Sequence, residues 1–285
     1  MGAKAMQNRI YSLDSAKAVK AQAFGYLNAI HYLAPGSLSG RNLCAHASPA
    51  CLSACLGWFS GQAAMVANDA ELNSVRASRI EKARRFFESR SAYMYDMALA
   101  TALAYRKAKA EGLKLCARPN GSSDIAFEGV AVELDAAQAA RIARIVRRPI
   151  AAGRYRNLMA LFSWIQFVDY TKNAARMRRT RSPQWPKNYS LTFSRSETNE
   201  TEAFALLAEG FNVAAVFAGG LPRRWNGFRV IDGDKHDLRH LDPRGVVVGL
   251  TPKGRKAKRD ASGFVITDWA KSKAPAKRRA MAIGE

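Results

Sequence analysis

Residues 189–217 read YSLTFSRSETNETEAFALLAEGFNVAAVF, a complete strand, polar loop, helix and second strand in one short stretch. Tyr189–Phe193 and Val213–Phe217 are apolar runs with the length of buried strands. The helix between them is expected to begin after Asn199, which has a glutamate three residues later as in a capping box, and to end at Gly210. Such a unit favours parallel strands joined by a right-handed crossover.

Similar units occur along most of the chain. Further strands are predicted over 24–34, where Pro35-Gly36 ends the run, and over Leu113–Ala117, Phe162–Val168 and Gly245–Leu250, with a helix over 135–147. Two more helices, broken near Ser89–Ser91, are predicted between residues 68 and 112 as an insertion after the cysteine loop. We therefore expect one α/β domain over residues 1–268, and a basic, disordered tail over residues 269–285.

The chain carries a large excess of positive charge. Its 45 Lys and Arg residues against 23 acidic residues give a formal charge of +22, which attracts polyanions. The alternative explanation is solubility together with a disordered basic tail. The charge is concentrated in the runs Arg176–Arg181, Lys253–Arg259 and Lys271–Arg279. Contacts with nucleic-acid phosphates are expected from Arg176, Arg178, Arg179, Arg181, Lys253, Arg255, Lys256, Lys258 and Arg259.

Composition also bears on the compartment. No apolar run approaches the roughly 18–20 residues that span a bilayer, and Met1–Ser15 lacks the features of a signal peptide. We therefore expect a cytoplasmic protein with no membrane partner. In a reducing compartment, clustered cysteines are more often metal ligands or catalytic groups than disulfides.

Three of the four cysteines lie close together, as Cys44, Cys51 and Cys55 in the spacing C-x6-C-x3-C. Three thiolates could hold a [4Fe–4S] cluster that leaves one iron free for a small molecule. With His46 added, the same loop could form a closed zinc site. The spacing matches neither a standard zinc finger nor the common ferredoxin run, and three apolar thiols without a metal are the remaining alternative. Cys116 lies within a strand pattern and is expected in the core.

Polar residues follow several of the predicted strands. The carboxyl ends of parallel strands share one edge of the sheet, where ligands commonly bind. Arg and Lys beside small hydroxyls suit a carboxylate or a phosphate group, although Arg195–Glu197 and Asp169–Lys172 could instead pair with one another. The candidate substrate- or cofactor-binding residues are Asn120, Ser123, Asp124, Asp169, Lys172, Asn173, Ser194, Arg195, Ser196 and Glu197.

Other motifs give weaker signals. Asp232, Asp234 and Asp237 could bind Mg²⁺ for phosphoryl chemistry, or could simply form a polar turn. His31 lies in an apolar strand and is expected to be a core residue, and His240 has no evident partner in the sequence. The chain contains no G-x-x-x-x-G-K-[ST], G-x-G-x-x-G or G-x-S-x-G motif, which sets aside the corresponding nucleotide-binding and hydrolase classes.

The sequence resembles a functionally uncharacterised family of phage-encoded and bacterial proteins. The resemblance extends from about residue 12 to 266 and rests on the segments YLNAIHYLAPGSLSGRNLC, ASPACLSACLG, RPNGSSDIAFE, FVDYTKN, NYSLTFSRSE, NVAAVF, VIDGDKHDLRHLDPRGVVVGL and GFV. Its layout is similar to that of radical S-adenosylmethionine enzymes, with a first strand, a three-cysteine loop and further β/α units. Those enzymes typically have C-x3-C-x2-C and a Gly-Gly-Glu motif after the second strand, whereas this chain has C-x6-C-x3-C and lacks that motif.

The resemblance implies a partial or distorted TIM-like barrel of parallel β/α units, with a helical insertion after the cysteine loop, in a phage-encoded or bacterial cytosolic protein. The first hypothesis is accordingly an iron–sulfur enzyme in a metal-binding domain over residues 1–268, with S-adenosylmethionine as a candidate ligand of the open iron. The second is a metal-stabilised nucleic-acid-binding protein, for example in phage or plasmid replication. The third is a magnesium-dependent nuclease that uses Asp232, Asp234 and Asp237.

Overall fold

The computed structural model describes residues 10–269. Of the predicted basic tail, only Trp269 falls within these residues, and the charged run Lys271–Arg279 lies outside them. Among the described residues, no helix combines the length and the hydropathy that crossing a membrane requires.

The described strands are numbered in chain order. They are β1 (Tyr11–Ser12), β2 (Tyr26–His31), β3 (Lys114–Arg118), β4 (Val132–Leu134), β5 (Gly153–Tyr155), β6 (Gln166–Thr171), β7 (Tyr189–Ser194), β8 (Val213–Phe217), β9 (Arg224–Trp225), β10 (Phe228–Asp232), β11 (Val247–Leu250) and β12 (Val265–Ile266).

The α-helices are also numbered as they occur in the described chain. They are α1 (Ala16–Lys20), α2 (Pro49–Ser53), α3 (Leu56–Phe59), α4 (Ser74–Glu88), α5 (Arg90–Ala110), α6 (Ala136–Val146), α7 (Leu158–Leu161), α8 (Ala174–Arg179), α9 (Glu200–Ala208) and α10 (Gly254–Lys258). Short 3₁₀ helices occur at Ala21–Phe24, Gly61–Ala64, Phe127–Gly129 and Arg239–Leu241.

A largely parallel sheet forms the centre of the molecule. Its strand order is β1-β2-β3-β6-β7-β8-β11-β10-β9, with β12 paired to the end of β8. In this sheet order, every neighbouring pair from β2 through β10 is parallel, whereas the edge strands β1 and β9 pair antiparallel with their neighbours. No strand ladder joins β1 to β9 in the described residues. The predicted parallel α/β architecture is therefore confirmed.

Both faces of the sheet are covered. Leu115 and Ala117 of β3 belong to the main core, which includes Phe167 of β6 and much of α5. Cys116, between those two β3 residues, faces the other way and packs with Val168 and Leu238. Burial of alternate residues on both faces explains why these strands are nearly continuous apolar runs. It also confirms the prediction that Cys116 is a core residue.

Most predicted elements are present, with two corrections of detail. The helices of the insertion break at Ser89, as expected from the sequence. The predicted strand over Phe162–Val168 is displaced, because Phe162 follows a short helix and β6 begins only at Gln166. The capping box at Asn199 is wrong. Its side chain bonds to the backbone of Ser194 and Ser196 and does not cap α9.

His31, at the end of β2, is fully buried as predicted. Its Nδ1 lies 2.8 Å from the carbonyl oxygen of Pro119, so this nitrogen carries the proton. Its Nε2 lies 2.6 Å from the hydroxyl of Tyr93, which donates to it. Burial, assisted by the charge of Lys82, lowers the pKa of His31 from 6.5 to about 3.

We expect this histidine to make the fold sensitive to acid. The unfolded chain takes up a proton on His31 below its ordinary pKa of 6.5, whereas the folded chain does so only near 3. The contribution of His31 to the free energy of unfolding therefore falls as pH decreases, by about 1.3 kcal/mol between pH 7 and pH 5.5. A His31→Gln variant should lack this component in denaturant titrations. An NMR titration of His31 in the folded protein with a midpoint near its ordinary value would contradict the account.

Candidate metal centre

The three clustered cysteines lie on a segment with well-defined local structure. Cys51 is in the first turn of α2, which has Pro49 at its start and Ser48 as its cap, with the Ser48 hydroxyl accepting from the Cys51 amide at 3.2 Å. Cys55 directly precedes α3, and its carbonyl oxygen accepts from the amide of Phe59 at 2.8 Å. Cys44 precedes both helices and donates its thiol to the carbonyl oxygen of Ser122 at 3.7 Å. All three thiols are free and half-buried.

These thiols share one cavity. It has a volume of about 200 Å³ and lies at the carboxyl ends of the parallel strands. Besides the three cysteines, it is lined by polar groups from three strand ends, which include Ser123, Asp124, Lys172 and Ser194. The structure thus brings the cysteine segment and the predicted strand-end residues to the same place.

The cysteine segment is held against the sheet by two contacts. One is the carboxylate of Glu197, which accepts from the Ser48 hydroxyl at 2.7 Å and from the Ala50 amide at 3.0 Å. The other is close packing at Gly57, where a Cβ atom would lie 2.1 Å from the Cβ of Ser122. Glu197 was predicted as a ligand-binding residue, but it positions the cysteine helix instead.

The thiols of Cys44 and Cys55 are neutral without a metal. Burial raises the pKa of Cys44 to about 11 and the pKa of Cys55 to about 12. A metal that bound them would have to displace their protons. Among residues 10–269, no three His, Cys, Asp or Glu side chains are placed to hold one metal ion together. His46, the candidate fourth zinc ligand, lies 3.0 Å from the side-chain nitrogen of Asn173.

A buried ion cluster fixes the strand ends around the cavity. The Arg176 guanidinium donates to both carboxylate oxygens of Glu128, at 2.9 and 2.7 Å, and to Asp124 at 2.7 Å. The other oxygen of Asp124 accepts from the Thr171 hydroxyl at 3.0 Å and from the Lys172 amide at 2.9 Å. The cluster therefore ties the loop after β3 to the end of β6.

A second set of buried bonds adjoins this cluster. Asp169 accepts from the Asn120 amide at 2.8 Å and from the Asn120 side chain at 2.9 Å. It also accepts from the Tyr189 hydroxyl at 2.7 Å, and the same hydroxyl accepts from Arg176 at 2.9 Å. Burial raises the pKa of Asp169 to about 6, against the opposing effect of the Tyr189 hydrogen bond.

The predicted ligand-binding residues thus divide into two groups. Those that line the cavity are Asn120, Ser123, Asp124, Lys172, Ser194 and Arg195, whereas Asp169, Asn173, Ser196 and Glu197 do not. Within the first group, the Arg195 guanidinium donates hydrogen bonds to Glu200 and to the carbonyl oxygens of Gly263 and Phe264. The last two bonds hold the segment that leads into β12. Lys172 also lines the cavity, and its ammonium donates to the Ser194 hydroxyl at 2.8 Å.

Several residues of the cavity were missed by the sequence reasoning. Three of them are the strand-end residues Arg118 of β3 and Tyr170 and Thr171 of β6, which lie next to residues that were predicted. Their position at the ends of predicted strands is the sequence feature that could have identified them. Phe264 precedes β12, a two-residue strand too short for its pattern to be recognised.

The comparisons with known proteins bear on the family. A family model described as Gene product 88 matches residues 7–268. The chain belongs to the Gene product 88 family. That description names no activity and no ligand. No match was found among the curated proteins or the solved structures.

The acidic motif of this Gene product 88 chain is a structural turn. The amide of Asp234 donates to Asp232 at 2.9 Å, and the Asp234 carboxylate accepts from the Thr251 amide at 2.9 Å. Asp237 instead pairs with Arg118 at 3.0 Å. The three carboxylates thus have separate structural partners, so the geometry gives no support to a magnesium site.

The residues predicted to bind nucleic acid lie in different parts of the structure. Arg176 is buried and therefore unavailable to a phosphate, so that prediction is wrong for it. Arg178 pairs with Glu209 at 2.6 Å, and Arg181 donates to the Glu209 carbonyl oxygen. Arg179 lines a pocket with Arg154 and Arg156 that is separate from the cysteine cavity. The residues Lys253, Arg255, Lys256, Lys258 and Arg259 line a large cleft beside the cysteine cavity.

Replacing Arg176 with Met should destabilise the fold by about 3–5 kcal/mol, because two buried carboxylates would lose their cation. Urea unfolding measures this change directly. The matched control is Arg178→Met, which removes an exposed ion pair with Glu209 and should change stability little. Equal effects of the two substitutions would refute the role assigned to the buried cluster.

Proposed function

We propose that Cys44, Cys51 and Cys55 hold an iron–sulfur cluster, and that one iron, without a protein thiolate, faces the cavity. The observation that carries the proposal is the lining of this cavity, which combines the three thiols with polar strand-end groups. The fourth cysteine, Cys116, is buried on the far side of β3 from the main core and is not part of this lining. Thiolates are the usual ligands of such clusters.

The geometry favours a cluster over a zinc ion. A closed zinc site needs four ligands that converge on one ion, and no such convergence exists in the described part of the chain. A cubane cluster binds each cysteine through a different iron, so its sulfurs can share a cavity without meeting at one point. The contact of His46 with Asn173 also leaves the fourth zinc ligand engaged elsewhere.

The proposed protein is an enzyme that resembles radical S-adenosylmethionine enzymes, with S-adenosylmethionine as the candidate ligand of the open iron. A bound cluster supplies one-electron chemistry and a coordination site. The chain supplies Lys172, whose ammonium suits the ligand's carboxylate, and the hydroxyl groups of Ser123 and Ser194. The strand order β2-β3-β6-β7-β8 supports the proposed partial barrel, since neighbours in the chain are neighbours in the sheet.

A cytoplasmic location in a phage-infected or free bacterial cell is part of this proposal. All four cysteines are free thiols, which a reducing compartment preserves.

Substitution of a proposed ligand tests the assignment. Cys51→Ala should lower the iron and sulfide content of anaerobically purified protein to a small fraction of the wild-type content. The matched control, Cys116→Ala, also removes a thiol but should leave the iron content unchanged. Retention of full iron by the Cys51 variant would refute the assignment.

Lys172→Met tests the ligand. We expect it to weaken the binding of S-adenosylmethionine to the iron-loaded protein about tenfold or more, because a charge-assisted hydrogen bond is lost. Isothermal titration measures the affinity, and the iron content should not change. The control is Lys187→Met, at an exposed position outside the cavity. If wild-type protein that contains a full cluster fails to bind S-adenosylmethionine, the cofactor is another molecule.

A second candidate function is nucleic-acid binding with a metal that only stabilises the cysteine segment. The observation that favours it is the basic cleft beside that segment. In this case nucleic-acid binding would depend on the cations of the cleft. Lys172→Met would then change neither the nucleic-acid affinity nor the metal content.

A further inference from the structure

A basic cleft runs along one side of the molecule. Its volume is about 1840 Å³, and its lining includes ten Lys or Arg residues, of which Arg76 is fully buried, but only four Asp and no Glu. The lining includes Arg79 and Lys82 of α4 and Arg255 and Lys258 of α10. The cleft therefore presents a concave cationic surface of the kind that attracts a polyanion.

The cleft and the cysteine cavity adjoin each other. Seven residues line both, among them Leu56, Arg118 and Lys253. Leu56 is the first residue of α3, directly after Cys55. A molecule that occupies the cleft would therefore lie beside the cysteine cavity.

The helix α10, which carries Arg255, Lys256 and Lys258, packs directly on α3, the helix that follows Cys55. A Cβ atom on Gly254, which has φ +77°, would lie 2.4 Å from the carbonyl oxygen of Phe59 in α3. The Lys256 ammonium lies 3.8 Å from the centre of the Phe59 ring and 2.5 Å from Asp69. The position of these cations is thus fixed relative to the thiols.

We infer that the cleft binds single-stranded nucleic acid and brings one nucleotide to the cysteine cavity. This inference rests on the proposed function, since it names the substrate class of the same site. A concave cleft suits a flexible strand better than it suits a flat lipid surface. The cysteine cavity adjoins the cleft, with which it shares lining residues. A base within a duplex could not reach such a cavity without leaving the stack.

The contacts also predict the mode of binding. Two of the aromatic rings in the cleft are covered by cations, with Arg79 4.7 Å above Tyr32 and Lys256 above Phe59, and Tyr11, the third, is buried. Phosphate contacts should therefore dominate over base stacking, so affinity should fall steeply with salt and depend little on sequence.

Charge reversal tests the inference. The test variant of the full-length protein is Arg255→Glu with Lys258→Glu, at two exposed positions in the cleft. The matched control is Arg154→Glu with Arg179→Glu, which makes the same change in net charge at the separate pocket. Fluorescence anisotropy with labelled single strands of about 12 nucleotides, as DNA and as RNA, gives affinities at several salt concentrations.

We expect the cleft variant to bind at least about tenfold more weakly than the control, with a salt slope smaller by about 1–2. The DNA and RNA arms decide which strand is preferred. Equal losses in the two variants, or equal competition by polyglutamate of the same charge, would overturn the inference. Iron is quantified in every sample. Absence of iron from wild-type protein refutes the proposed function, whereas the comparison of the two variants still decides whether the cleft binds nucleic acid.

Photo-crosslinking tests whether a strand bound in the cleft reaches the cysteine cavity. A strand that contains 4-thiouridine should crosslink to peptides from residues 44–60 and 251–259, as identified by mass spectrometry. Crosslinks confined to residues 176–185, or unchanged in the cleft variant, would place the strand elsewhere and overturn the inference.

Discussion

The ion cluster around Arg176 is the constraint on which the arrangement of this molecule depends. One buried guanidinium joins Glu128, Asp124 and Tyr189, and thereby joins the loop after β3 to the strands β6 and β7. Burial of an ion pair gives little net stability, but removal of one partner leaves uncompensated charge in the core. The cluster therefore specifies where the strand ends lie more than it strengthens the fold. Because Asp124 also accepts from the Lys172 amide, the same cluster positions the cation of the cysteine cavity.

The cysteine segment depends on this arrangement in turn. Its helix α2 bonds to Glu197, which follows β7, and Gly57 packs against Ser122, in the loop that Asp124 anchors. The basic helix α10 then packs on α3 through Gly254. Thiols, strand-end polar groups and cleft cations are therefore held in fixed relative positions by hydrogen bonds and close packing. The proposed cluster and the proposed nucleic-acid strand could share one substrate only if the cavity and the cleft are fixed relative to each other in this way.

Much of this arrangement could be predicted from the sequence. Apolar runs such as Val213–Phe217 are recognisable because parallel strands are buried on both faces, and strand-end position correctly placed Ser123, Asp124 and Lys172 at one cavity. The sequence could not predict which polar side chains make internal structural bonds and which line the cavity. Arg176 stands in the run RMRRTR and looks like a surface cation, yet it is buried, since its partners lie 48 and 52 residues away in the chain. Glu197 was misassigned for the same reason, because its partners Ser48 and Ala50 come from a distant segment.

The most direct test of the central claim is anomalous diffraction at the iron absorption edge, from crystals of protein purified and grown without oxygen. The account predicts one strong iron site bounded by the Sγ atoms of Cys44, Cys51 and Cys55, with its thiolate-free iron directed towards Lys172. A zinc peak at the cysteines, an iron peak elsewhere in the molecule, or cysteines with no metal peak would contradict it.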